Sequence, residues 1–268
     1  MRWMLIALLS SALLLSGCAE KFYKVSKDEY RVRVQTLGVL PLLIDTDSLK
    51  IYPEAGELAK VLIKNNLGKE ARLVEMLREV KGYFDIREVA GDPAALYQRL
   101  VTGGAMNDRE PFFRSYRFDP LVVRELADRN GVDGLLVIIV NGVTRGEKRW
   151  DRTNLSYLHA DFDMLLATAA VATVNGDVLW EFPGYATEPF LPLQYPNFDK
   201  AYYNLATRVD IEDISVDGID RLLTEPDRVI FGGTNYSRRY RELFDQLTSA
   251  LKPGGQLQSL PVAPATAQ

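Results

Sequence analysis

The sequence predicts an α/β fold: a single domain with a mixed sheet flanked by helices, a long β-hairpin and a C-terminal helix. Three observations predict it. Residues 36–44 and 134–143 are nearly unbroken apolar runs of strand length, the pattern of strands buried on both faces. The stretch between them carries apolar residues at helical spacing, so the two strands are joined by helices rather than by a tight turn. Asn175-Gly176, a strong hairpin turn pair, separates two further strand-like runs.

Residues 19–33 are polar and charged without sustained periodicity, and with the rest of 18–35 they read as a linker. The first strand follows at 36–44, where Pro41 removes one ladder donor and predicts a strand end or bulge. Ala55, Leu58, Val61 and Leu62 fall on one helical face, and Leu73, Leu77 and Val80 on a second, which Gly82 ends. Residues 83–89 alternate as a short strand. Asp92-Pro93 and Asp119-Pro120 each set an N-cap before a proline whose missing N–H costs nothing at the first helical position. Asn130-Gly131 closes the second of these helices.

After the 134–143 strand, residues 159–174 are long enough for an extended strand that returns through a type I′ turn to 178–182. Residues 184–233 lose periodicity and read as an irregular insertion. Tyr236, Tyr240, Leu243, Phe244, Leu247 and Leu251 mark the last helix, stopped at Lys252-Pro253-Gly254-Gly255. The domain therefore covers 36–252, and 253–268 is a Pro, Ala and Gln tail expected to be disordered.

Composition narrows the chemistry. Among 268 residues there is one cysteine and one histidine, and the net charge is −4. A lone cysteine closes no internal disulfide, and with one histidine it makes no four-ligand zinc site of the nitrogen and sulfur kind. An acidic chain is a poor phosphate-backbone binder, so nucleic acid is not an expected partner.

The leader is more specific. Arg2 precedes an apolar stretch from Met4 to Leu15, too short to span a bilayer comfortably, which ends in Leu15-Ser16-Gly17-Cys18. Those four residues resemble the bacterial lipobox. The resemblance implies that residues 1–17 are a lipoprotein signal peptide and that Cys18 carries a diacylglycerol and an N-acyl chain, enough to hold the protein on a membrane without a spanning helix. Ala19, where an aspartate would retain the protein at the inner membrane in enterobacteria, implies the periplasmic face of the outer membrane.

Catalytic constellations are scarce. His159 is the only imidazole, and no G-x-S-x-G, G-x-x-x-x-G-K or G-x-G-x-x-G motif occurs, so no catalytic residue, metal site or cofactor is expected. A strand would place His159, Asp161 and Asp163 on one face, where a metal could bind, but a polar outer face gives the same alternation. Asp210, Glu212, Asp213, Asp217 and Asp220 lack the glycine and terminal glutamate of a calcium loop and read as a solvated face.

Two regions suit binding better. Arg145, Lys148, Arg149, Trp150 and Arg152 are expected in a loop ahead of the hairpin, with Arg149 and Trp150 as contact residues for headgroups or a protein. Tyr185, Phe190, Tyr195, Phe198 and Tyr202 stand among prolines in the insertion and form a second candidate partner surface.

The lipobox, the Val39-Leu40-Pro41 strand, the Tyr83-Phe84-Asp85-Ile86 strand, the strand entry at 131–137 and the hairpin end at 175–181 together resemble α/β envelope lipoproteins related to the curli-secretion lipoprotein CsgG. The resemblance implies a non-enzymatic role in envelope assembly or export through protein partners, often as a homo-oligomer. Pore-forming members need paired segments of about ten residues alternating apolar and polar, and the sequence offers no convincing pair. The alternative is a cell-wall-active hydrolase or ligand-binding lipoprotein that uses a carboxylate pocket.

Overall fold

The structure, a computed structural model, describes residues 22–80, 82–106, 113–182, 189–199, 209–226 and 236–252. Its centre is a mixed seven-stranded sheet with path β3 (Asp85–Glu88), β1 (Thr36–Val39), β6 (Gly134–Trp150), β7 (Tyr157–Thr173), β8 (Val178–Phe182), to which β2 (Leu43–Ile44) and β9 (Leu191–Pro192) attach. β1 lies parallel to both β3 and β6, while β6, β7 and β8 run antiparallel in turn. Pro41 does interrupt the first strand. The chain resumes as β2 (Leu43–Ile44), again parallel to β6.

Helices cover both faces, because the odd and even residues of β6 are both apolar. Leu136, Ile138 and Val140 pack with Leu58 and Leu62 of α2 (Ala55–Asn66), Leu73 and Leu77 of α3 (Lys69–Glu79), and Leu243 and Leu247 of α7 (Arg238–Ala250). Leu135, Val137 and Ile139 pack instead with Leu96 of α4 (Pro93–Leu100) and Val123 and Leu126 of α5 (Pro120–Asn130). The capping residues act as their types predict. Asp92 Oδ1 accepts from the Ala95 N–H at 2.8 Å, Asp119 Oδ1 accepts from Leu121 at 2.8 Å, and Gly131 ends α5 at φ 61°.

The structure corrects several expectations. The linker ends early: Phe22 to Lys24 close the open edge of β8, with the Lys24 N–H donating to the Leu179 carbonyl and the Glu181 N–H to that of Phe22, both at 2.8–2.9 Å. Residues 27–33 then form α1 (Lys27–Arg33), capped by Ser26, whose Tyr30 is fully buried and shares a 2.7 Å hydroxyl bond with Tyr83. One buried aromatic in two turns is enough to dock this short polar helix, and that is too sparse a signal to show as periodicity.

The turn at 173–177 is not type I′. Only Gly176 has positive φ, 85°, and the Thr173 N–H donates to the Asp177 carbonyl, giving a three-residue loop with a left-handed glycine and a bulge at Val171/Ala172. The insertion is also less irregular than expected. It contributes β9 (Leu191–Pro192), the antiparallel ribbon of β10 (Gln194–Asn197) and β11 (Asp210–Asp213), and α6 (Val216–Thr224), with Ser215 as N-cap. A further hairpin, β4 (Val101–Met106) with β5 (Arg114–Phe118), lies between α4 and α5.

β6 is the largest departure. It continues seven residues beyond Val143, staying in register with β7 from Gly134↔Thr173 to Trp150↔Tyr157. At Gly142 the 3-10 helix Ser48–Ile51 crosses the strand, and the Ser48 hydroxyl accepts from the Gly142 N–H at 2.8 Å. A Cβ there would stand 2.4 Å from the Ser48 carbonyl oxygen, so only glycine admits the crossing. Past this point the hairpin leaves the sheet as an arm about 23 Å long.

Candidate functional site

The arm has two unlike faces. One carries Arg145, Glu147 and Arg149 opposite Phe162, Ala160 and Leu158. It is held by its own contacts: Glu147 pairs with both arginines, the Arg149 guanidinium lies 3.9 Å from the Phe162 ring centroid, and Arg149 donates to the Gln194 carbonyl. Phe162, fully buried, joins Phe113, Val143, Met164 and Leu166 in a small satellite core at the base. The other face carries Thr144, Gly146, Lys148 and Trp150 opposite Asp163, Asp161, His159 and Tyr157, and most of it is open to water.

The tip is built by Asp151. Its carboxylate accepts from Thr153 Oγ1 at 2.8 Å and from the Leu155 N–H at 3.1 Å, and its own N–H donates to the Ser156 carbonyl. Desolvation opposes the charged form, but the bonds from Thr153 and the loop N–H groups prevail and hold the carboxyl below the ordinary aspartate range. Asn154 takes the left-handed conformation at φ 57°, a role asparagine tolerates. The ordered loop leaves Leu155 84% exposed, and at the ends of the two strands Trp150 (52%) and Tyr157 (51%) are exposed with their rings 5.0 Å apart. Lys148 sits 5.0 Å over the Tyr157 ring.

Trp150 is exposed, but Arg145 to Trp150 belong to a strand and not to a loop. Arg149 is not an available contact, since its guanidinium is committed to Glu147, Phe162 and Gln194. Of the aromatics proposed in the insertion, Phe190 is a core residue with its ring 5.4 Å from that of Tyr240, Phe198 is half-buried, and Tyr195 is exposed on β10 with its hydroxyl bonded to Glu212 at 2.8 Å. Ile211 stands exposed opposite Pro196 on the same ribbon. Cys18, Tyr185 and Tyr202 lie outside the described residues. Leu155 and Tyr157 were missed by sequence reasoning; the signal available was two large apolar residues flanking a turn-rich Asp-Arg-Thr-Asn stretch.

The titratable clusters are occupied. His159, Asp161 and Asp163 do share a face, with Thr144 Oγ1 donating to Asp163 at 2.6 Å, and no group of three metal-capable side chains gathers among the described residues. In the acidic run, Asp213 accepts from Gln194, Glu212 from Tyr195, and Asp220 from Lys64 and Asn65. Buried Asp45, just past the end of β2, accepts from the Tyr116 hydroxyl at 2.9 Å and lies 3.6 Å from Arg114. Burial first, and then the Asp45 charge, pushes the Tyr116 and Tyr97 hydroxyls well above their usual range, which keeps them protonated donors.

No protein-family model, curated protein or solved structure matches the chain. Among the described residues, no helix is long and apolar enough to cross a membrane.

Proposed function

We propose that the chain is a bacterial lipoprotein, acylated at Cys18 and held at the periplasmic face of the outer membrane, which serves as a non-enzymatic protein-binding component of envelope assembly or secretion. The observation that carries this role is the arm, a paired strand extension braced by the β10/β11 ribbon, which exposes Tyr195 on one of its faces and Ile211 on the other. Exposed aromatic and branched side chains on a rigid ribbon supply contact area at little ordering cost.

Only residues 19–21 separate Cys18 from the docked segment at Phe22, a reach of about 14 Å at full extension. An acylated chain would hold its domain close to the lipid and present the ribbon from a fixed height. Two measurements test this. Cys18→Ala is expected to abolish fatty-acid labelling and membrane retention, and continued labelling would sink the lipoprotein assignment. A photo-cross-linker at Tyr195 in intact cells is expected to trap a discrete adduct, a second copy of the chain included, that the same probe at Glu57 does not; no Tyr195-specific adduct overturns the binding role.

One feature favours the enzymatic alternative. An open groove of about 480 Å³ between α3 and α7 contains Glu79 and Asp245 with Thr248, Ser249 and Lys252. Both acids are exposed, and Asp245 is paired with Arg241 at 3.2 Å. Release of cell-wall fragments by the purified protein, lost in Glu79→Gln and Asp245→Asn, would move the function to this groove.

A further inference from the structure

We infer that the tip of the arm is a bilayer-binding wedge, with Trp150, Leu155 and Tyr157 seated at the headgroup and acyl boundary of a membrane containing anionic phospholipid. This goes beyond the proposed protein-binding role and does not rest on acylation of Cys18.

Four observations carry it. The three side chains are the large apolar groups of one eight-residue stretch, and all are at least half exposed. They are held out by an ordered loop, since Asp151 accepts from Thr153 and Leu155 and closes the turn with Ser156, so their exposure is built in and costs no ordering on binding. Trp and Tyr are the residues that favour the boundary between headgroups and acyl chains, and Leu155, in the loop between them, is the most exposed of the three.

Charge points the same way. Between 148 and 157 the cations are Lys148, Arg149 and Arg152, and the only acid is Asp151, whose carboxylate is turned into its own loop. Arg149 is committed to Glu147 and Arg152 shares Asp199 at 2.7 Å, so the cation the arm offers beside its exposed rings is Lys148, held 5.0 Å over Tyr157. Phosphate headgroups complement such a tip.

Area separates a bilayer from a protein pocket. The exposed parts of the three side chains amount to roughly 400 Å², judged from the area such side chains bury, whereas a standard protein interface takes about 800 Å² from each partner. A fluid boundary closes around a narrow wedge and needs no matching surface. The tip also lies about 45 Å along the hairpin from the N-terminal segment docked at Trp180, so it makes a contact separate from any lipid carried there.

The test uses the full chain with vesicles of phosphatidylcholine, with or without phosphatidylglycerol, whose acyl chains are brominated to quench tryptophan at the boundary. Trp180 is fully buried, and the difference in emission between the native chain and Trp150→Phe isolates Trp150. That difference signal is expected to be quenched on phosphatidylglycerol vesicles, less on phosphatidylcholine alone. Leu155→Asp is expected to weaken the quenching titration about tenfold, with an unchanged melting temperature. Trp150 emission that brominated lipid leaves untouched, and that aqueous acrylamide still quenches fully, overturns the inference and makes a protein pocket the occupant of the tip. Because the signal comes from Trp150 alone, its failure is distinct from loss of fatty-acid label at Cys18 or of an adduct at Tyr195.

Discussion

The two halves of the β6/β7 hairpin are one continuous ladder with two different lives. From Gly134↔Thr173 to Val143↔Met164 nearly every side chain is buried, because helices cover both faces. From Thr144↔Asp163 to Trp150↔Tyr157 the register is unbroken, but the side chains alternate and one face is wet. Backbone pairing continues regardless of what lies above and below, since each strand satisfies the other's N–H and C=O groups. What changes at Gly142 is the company of the sheet: β2 ends, the 3-10 helix crosses, and the arm goes on with the β10/β11 ribbon against one face. The proximal half is therefore core, and the distal half holds side chains at the surface.

Substitutions can break or sharpen that contrast. The largest effect belongs to the proximal core: Ile138→Ala should cost about 3–4 kcal/mol in denaturant unfolding, a fully buried methyl-rich side chain packed under α2 and α3. Gly142→Ala follows at about 2–3 kcal/mol, since its methyl would meet the Ser48 backbone; a melting temperature equal to the native one would show that the crossing is not fixed. Arg149→Ala should cost about 1–2 kcal/mol, from the lost ring contact with Phe162 and the freed Gln194 carbonyl, while amide exchange in the proximal strands stays slow. Trp150→Ala should leave global stability within about 0.5 kcal/mol, because the side chain is half exposed and its ring packs against that of Tyr157 at the end of the arm, and a larger loss would mean that the tip is part of the fold.

The smallest effect is a pH dependence confined to the tip. The Asp151 carboxyl is depressed in the folded loop, so its contribution is fully present above the ordinary aspartate value of about 3.9 and is lost as pH falls through the lower folded value. Exchange protection of the Leu155 and Ser156 amides should fall over that acid interval before the proximal strands respond, and protection unchanged there would remove Asp151 as the organiser of the loop.

Much of this was legible in the residues. Strong periodicities and cap signals placed α2 to α5, α7, β1, β3 and the β7/β8 hairpin, and Pro41 and Gly131 end elements where their backbones require it. Weak signals failed for a common reason. α1, the β10/β11 ribbon and α6 each bury only a few side chains or are paired through backbone alone, so composition carries little trace of them. The candidate surface divides in the same way: Trp150 and Tyr195 were found as aromatics in polar stretches, whereas Arg149 and Phe190 have the same residue types but are drawn inward by Phe162 and Tyr240.

By itself the sequence determined the α/β class, the covering of the 134–143 strand on both faces, the chain reversal at Asn175-Gly176 and a lipobox-like leader, because each depends on local backbone preference or on a short contiguous pattern. Only the tertiary structure decided that β6 outruns its sheet and that Trp150, Leu155 and Tyr157 are all exposed at the end of the arm. Those outcomes depend on which neighbours end at Gly142, and a strand's own residues do not record where its partners stop.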